Sequence, residues 1–324
     1  MINKQFGFVN ESTYGTAVTV TRFYEPDEAS FKANVARQGD VTLRAGSLAP
    51  SLAQTVPYVL GATGSVKGKV PTKGFGLMLT HMLGASSVGT VSDANYTQTH
   101  TLGSLLGRMM TAQIDRPLNP AETSQAFTML GGKVTSWSLE CSVDGSLMYE
   151  IELDGQTLST AISLATASYP SAATAFSWIA ASVSIDSSAA EVKRWKISCS
   201  NAMNTDRRYL RASALKKQPL ENAHRDIDWE VDLDFVSLDM YNKLVATSAT
   251  GTAISLDMTC DGPVAHGGTT LPRVTVATTS ARIDDIDFDE SGYEPIMQKL
   301  KGKILTPASG EPLTVTYRTT DSAV

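Results

Sequence analysis

The stretch DIDWEVDLDF, residues 226–235, alternates without a break. Asp226, Asp228, Glu230, Asp232 and Asp234 share one parity, and Ile227, Trp229, Val231, Leu233 and Phe235 share the other. Side chains along a strand point to opposite faces in turn, so this segment predicts a strand with carboxylates on one side and core on the other. Looser patterning predicts strands in FYEPDEASFKANV, GDVTLRAGSL, GSVKGKVP, RMMTAQIDR and TAISLDMTC. GGKVTSWSLECSVDGSLMYEIELDGQT predicts a hairpin turning at Asp144-Gly145. Its inward side is Val134, Leu139, Cys141, Val143, Ile151 and Leu153, with a parity slip where a bulge fits. TKGFGLMLTHMLGAS predicts a short helix with Thr72 as N-cap and Gly84 as its stop, and a second helix follows Ser237. Phe75, Met78, Leu79 and Met82 should pack the first helix on a sheet; Trp229, Phe235, Leu238, Tyr241 and Leu244 should pack the second. Residues 45–63 are loosely apolar with Pro50 and Pro57 excluding a helix, which predicts a long apolar loop.

The order of elements recurs. RAGSL at 44–48 returns as RASAL at 211–215, and the strand and helix of 64–84 return from Asp226 onward. The strand at 108–116 returns as TAISLDMTC, and the hairpin as ARIDDIDFDESGYEPIMQKLKGK, where Gly145 and Gly155 match Gly292 and Gly302. Ala, Ser and Thr dominate the stretch between the copies. The predicted organisation is mainly β: one domain over residues 1–160, a linker at 161–177, and a second similar domain over 178–324.

Composition narrows the chemistry. A 42% hydrophobic fraction supplies a real core, and a net charge of −6 argues against an overall grip on nucleic acid or an anionic membrane. Cys141, Cys199 and Cys260 are an odd number without a CxxC, which points to buried reduced thiols and away from a disulfide framework or zinc site. MINKQFGFVNE lacks the apolar core of a signal peptide, and Pro170 with many Ser and Thr makes 155–185 a poor membrane span. His81, His100, His224 and His266 are scattered, with no metalloprotease motif or nucleophile elbow. GSVKGKVPTKGFG lacks phosphate-loop spacing, and DDIDFDESG puts Glu290 where a calcium loop needs glycine. No catalysis and no cofactor are expected.

NESTYGTAV, GSVKGKVPTKGFGLMLTHMLG and FTMLGGKVTSWSLECSVDGSLMYEIELDGQ, in this order and spacing, resemble the tail tube (major tail) proteins of long-tailed bacteriophages. The resemblance covers roughly residues 6–160 well and the remainder more diffusely. It implies a β-sandwich or barrel-like domain flanked by a short helix, and self-assembly into rings that stack as a hollow conduit for DNA. With the repeat, a trimeric ring of pseudo-sixfold symmetry is preferred and a true hexamer comes second. Further implied partners are a tape measure protein and passing DNA in the lumen, without specific binding, and tail terminator and tail tip proteins. The implied location is the virion tail, after assembly in the host cytoplasm. The alternatives are a secretion-system-type tube, neck or terminator component of the same fold, or a carbohydrate-binding β-sandwich on a virion surface.

On this reading the acidic rows face the lumen, where they repel phosphates: Asp226, Asp228, Glu230, Asp232 and Asp234, with Asp285, Asp287 and Asp289 and with Glu150, Glu152 and Asp154. Lys67 and Lys69, on the first-half counterpart of 226–235, leave an outer-wall position open. The N-terminal arm (1–20), the 45–63 loop and the C-terminal TPASGEPLTVTYRTTDSAV are expected at ring-to-ring contacts.

Overall fold

The structure, a computed structural model, describes residues 5–38, 49, 55–91, 95–118, 123–246, 252–266, 268–290 and 295–324. The expected strand GDVTLRAGSL, most of the 45–54 stretch and Gly292 lie outside those residues. The first half holds β1 (Phe6–Asn10), β2 (Arg22–Tyr24), β3 (Pro26–Gln38), β4 (Val56–Lys69), α1 (Gly76–Leu83), β5 (Gly84–Thr90), β6 (Tyr96–Leu102), β7 (Met110–Asp115), β8 (Ala126–Ser142), β9 (Met148–Gly155) and β10 (Thr157–Ser159). The second holds β11 (Ala181–Ile185), β12 (Ser188–Ala190), β13 (Val192–Ser200), β14 (Met203–Asn204), β15 (Leu220–Glu221), β16 (Asp226–Asp234), α2 (Asp239–Leu244), β17 (Ala253–Asp261), β18 (Arg273–Asp289), β19 (Met297–Ile304) and β20 (Thr314–Thr319). The chain is mainly β and its sheets are antiparallel, as the alternation predicts.

One main sheet runs through both halves in the order β3-β4-β9-β8-β13-β16-β19-β18. The halves meet at β8 and β13, which pair from Ser142↔Arg194 to Ser136↔Ser200. The two longest strands leave this sheet partway along. The start of β8 turns away to pair with β7 and β10, and the start of β18 pairs with β17 and β20. The core fills the space between: Trp137, Leu139, Tyr149, Ile151, Trp195, Ile197, Trp229, Val231 and Leu300 are all buried. The other face of the main sheet is polar.

The halves follow one plan, and three of its irregularities coincide. The pairings β1–β2, β1–β7, β7–β8, β8–β9, β4–β9 and β3–β4 reappear as β11–β12, β11–β17, β17–β18, β18–β19, β16–β19 and β13–β16. Bulges fall at Asp27 and Lys193, at Thr135 and Asp284, and at Thr111 and Ser255. A bulge is position-specific, so coincidence at three places fixes the correspondence. It aligns Gly302 with Leu153, two residues from the Gly155 that spacing alone selects.

Several local expectations change. The helix starts at Gly76 with Phe75 at the cap position; Thr72 instead bonds Thr174 and His266. Gly84 does end it, at φ 104, where a Cβ would lie 2.2 Å from the Gly103 carbonyl oxygen. Ser237 accepts the Asp239 amide, one residue before the Leu238 cap position. Residues 56–63, expected in a loop, belong to β4 because β3 and β9 both pair with that strand. Val143 is exposed at the hairpin end. Residues 161–177 carry little regular structure yet are tied down: Gln113 holds Ser163 and Ala165, Thr72 holds Thr174, and Phe176 is buried. The two ends are also engaged within the chain. Phe6 and Phe8 are core residues, and β20 pairs with β6 and β18 and buries Val315 and Tyr317.

Candidate functional site

The polar face of the main sheet is organised by charge. Directly opposed residues on neighbouring strands bring their Cβ atoms about 4.5–5.5 Å apart, so register decides which charges meet. One row across five strands reads Glu140–Lys196–Glu230–Lys301–Asp285, alternating in sign at every step. The next reads Arg194–Asp232–Lys299–Asp287. At the other end of the face, Glu150 opposes Lys67, which opposes Glu28.

The carboxylate row of β16 therefore lies between two basic strands. Arg194 on β13 donates through Nε to Glu140 at 2.7 Å and through Nη1 to Glu230 at 2.9 Å, with Asp232 at 3.8 Å. Lys193 reaches Asp234 at 3.8 Å. On β19, Lys303 binds both Asp226 and Asp228, and Lys301 binds Asp287. Bare like charges do not stand side by side here; each acid of β16 has a cation within reach.

Protonation follows from these contacts. Burial disfavours ionisation of Glu140, but hydrogen bonding and charge from Arg194, with Lys196 and Lys67, outweigh it and hold the carboxyl below its ordinary range. Asp232 goes the other way: burial raises it, Glu230 and Glu140 add to the effect, and Lys299 with Arg194 offsets only part. The hydrogen bond from Lys301 keeps Asp287 low. Because most of these pairs are substantially solvated, they add little to the stability of the fold.

Of the predicted acids, those of β16 share this face with Glu150 and Glu152, where Glu152 accepts from the Ser136 hydroxyl at 2.9 Å. Asp285, Asp287 and Asp289 lie on the outermost strand of the sheet. Asp154 differs. It is 7% exposed, bonded to Lys216 at 2.5 Å, and burial raises its pKa against the pull of that lysine. Within the single chain Lys216 covers it. Apart from Lys67 and Lys69, the cations of this face were missed from sequence, although VKRWKIS and QKLKGK already alternate Lys and Arg with core residues.

Among the described residues the two margins of the sheet carry no further strand: β3 pairs only with β4, and the Ile283–Asp289 part of β18 pairs only with β19. On β3 the Phe31 carbonyl accepts from Arg116. Strand edges without a second strand invite pairing with another chain. The molecule thus combines a core, a face of alternating charge and, among the described residues, two margins without a strand partner. Among the described residues no three His, Cys, Asp or Glu side chains gather as a metal group, and no helix is long and apolar enough to cross a membrane.

No match is found among curated proteins. The family model described as phage tail tube protein matches residues 2–292, nearly the whole chain, and the chain therefore belongs to the phage tail tube protein family, structural components of the bacteriophage virion.

Proposed function

We propose that copies of this chain join head to tail into rings, that the main sheets merge into one barrel wall, and that the stacked rings form the conduit for DNA ejection. The supporting observation is a sheet with core on one face, charge on the other and, among the described residues, two margins without a strand partner. Closing strands around an axis removes such edges. Residues 1–160 and 178–324 act as two tube units joined through 161–177, so three chains supply six units; six chains per ring is the second choice.

The charged face lines the lumen, with Asp226, Asp228, Glu230, Asp232, Asp234, Asp285, Asp287, Asp289, Glu150 and Glu152 on it. Lys and Arg bind DNA strongly because neutralising its phosphates releases the counterions condensed on the duplex. Here Arg194, Lys301 and Lys303 are already engaged by carboxylates, so a passing polyanion finds few free cations and slides over a hydrated wall. The tape measure protein occupies the same space earlier, and terminator and tip proteins cap the ends after assembly in the host cytoplasm.

Negative-stain imaging of the purified chain tests this. Hollow tubes of threefold rings are expected. Six chains per ring would overturn the trimer, isolated single rings would favour a neck or terminator role, and a persistent monomer would overturn the assembly. Lysine substitutions at Glu150 and Asp285 should slow DNA passage more than tube formation; density placing both on the outer wall would remove the lumenal assignment.

A further inference from the structure

The chain contains a template for its own intermolecular contact. In the shared plan β8 corresponds to β18 and β3 to β13, and within the chain β8 pairs with β13. Among the described residues, the two margins without a second strand are the remaining members of those pairs, β18 and β3. We infer that the Asp285–Asp289 edge of one copy pairs antiparallel with β3 of a second copy, in the register that β8 and β13 use internally. This rests on the ring reading above.

The bulges make the register explicit. Thr135 and Asp284 align Ser136 with Asp285, Ser138 with Asp287 and Leu139 with Phe288. Asp27 and Lys193 align Phe31 with Ile197, Lys32 with Ser198 and Asn34 with Ser200. The internal pairs Leu139↔Ile197, Ser138↔Ser198 and Ser136↔Ser200 then become Phe288↔Phe31, Asp287↔Lys32 and Asp285↔Asn34 between copies.

The chemistry of the two edges, which did not enter that alignment, agrees with it. On the polar face Lys32 meets Asp287, and Asn34 and Ser30 bring donors to Asp285 and Asp289. On the core face Phe288, 37% exposed in the single chain and in edge contact with Phe235, comes beside the buried Phe31, and Ile286 meets the small Ala33. The Phe31 carbonyl accepts from Arg116 within the chain, so the pairing displaces that guanidinium from the β3 edge. Sliding by two residues so that Lys32 faces Asp285 would put Glu28 against Asp289, a like-charge pair directly opposed.

Cysteine pairs test the register, since directly opposed strand positions fall near disulfide geometry and the native Cys141, Cys199 and Cys260 are buried. Lys32→Cys with Asp287→Cys, or Asn34→Cys with Asp285→Cys, should convert assembled protein to covalent oligomers on a non-reducing gel. Ser30→Cys with Asp285→Cys, four residues out of step, should not. Tubes in which the mismatched pair cross-links, or neither matched pair does, would overturn the register while leaving the tube. Failure of the unmodified chain to assemble would remove the ring reading beneath it. Hydrogen exchange on the unmodified protein needs no variant: amides of Lys32–Val35 and Asp285–Asp289 should slow at least about tenfold on assembly, and unchanged exchange at both would overturn the pairing. Lys32→Glu should raise the concentration needed for assembly about tenfold and Lys32→Arg should leave it unchanged; equal behaviour of the two would overturn the contact with Asp287.

Discussion

Helices α1 and α2 occupy the same place in the shared plan, after β4 and after β16, yet their surroundings are opposite. Seven residues of α1 are buried, and Phe75 at its start meets Tyr24, Tyr149 and Tyr317 within the core. In α2 no residue is buried; Leu238 and Tyr241 are 57% and 42% exposed, and Leu244 is only partly covered. The difference lies in the chain that follows. After α1 the β5–β6 hairpin folds across the helix and β6 recruits β20. After α2 the next strand is β17, and the helix packs mainly on β18. A short amphipathic stripe does not bury itself; most of its stability comes from what packs over it.

The sharpest test of this contrast is aromatic truncation. Phe75→Ala should cost about 3–5 kcal/mol in urea unfolding, while Tyr241→Ala should cost under about 1 kcal/mol. Comparable losses at both sites would mean the helices are equally integrated. Next comes the helix exit. Gly84→Ala forces a side chain into φ 104 against the Gly103 carbonyl and should cost about 1–3 kcal/mol, whereas Val245→Ala, at φ −83, should be close to neutral.

Acid should then weaken the α1 side selectively. Burial, with smaller contributions from Arg108 and Lys133, pulls the pKa of His81 down to about 3 from 6.5, and neither ring nitrogen has a hydrogen-bond partner. The native state keeps this imidazole neutral while the unfolded chain takes up a proton below 6.5, so stability is lost as pH falls from 6.5 toward 3. Each pH unit in that window is worth up to about 1.4 kcal/mol. His81→Leu should therefore gain about 2 kcal/mol on wild type between pH 7 and pH 5, read from urea midpoints; a constant difference across pH would discard this origin. The smallest effects belong to the charged face. Glu140→Gln should lose up to about 1 kcal/mol at pH 7, because its carboxylate is held ionised, whereas Asp232→Asn should be neutral or slightly stabilising, because that carboxylate is disfavoured. Equal losses would show that charge on this face is interchangeable.

The sequence was most legible where one side of an element is buried. Residues 226–235, the α1 stripe and the parity slip near Thr135 all record their own exposure locally. Long-range partners leave no such trace. Asp154 has the parity of Glu150 and Glu152, but Lys216 covers it from far along the chain. Thr72 has the composition of an N-cap, but Thr174 and His266 claim its hydroxyl. Residues 56–63 look weak as a strand because of Pro57 and Gly61, yet they run straight into Gly64, whose lack of a side chain allows close approach: a Cβ there would lie 2.5 Å from the Phe31 ring. The acidic row was visible and its ion pairing was not, because Arg194 and Lys303 sit on strands brought alongside only by folding.

The matched bulges have a consequence for size. Each one bends its strand and sharpens the local twist, and the same bends recur at Asp27 and Lys193 and at Thr135 and Asp284. Two successive stretches of sheet therefore carry the same bends within a single molecule. In the proposed ring both halves would then set the radius alike, so straightening one bulge alone would give a chain whose two halves no longer match.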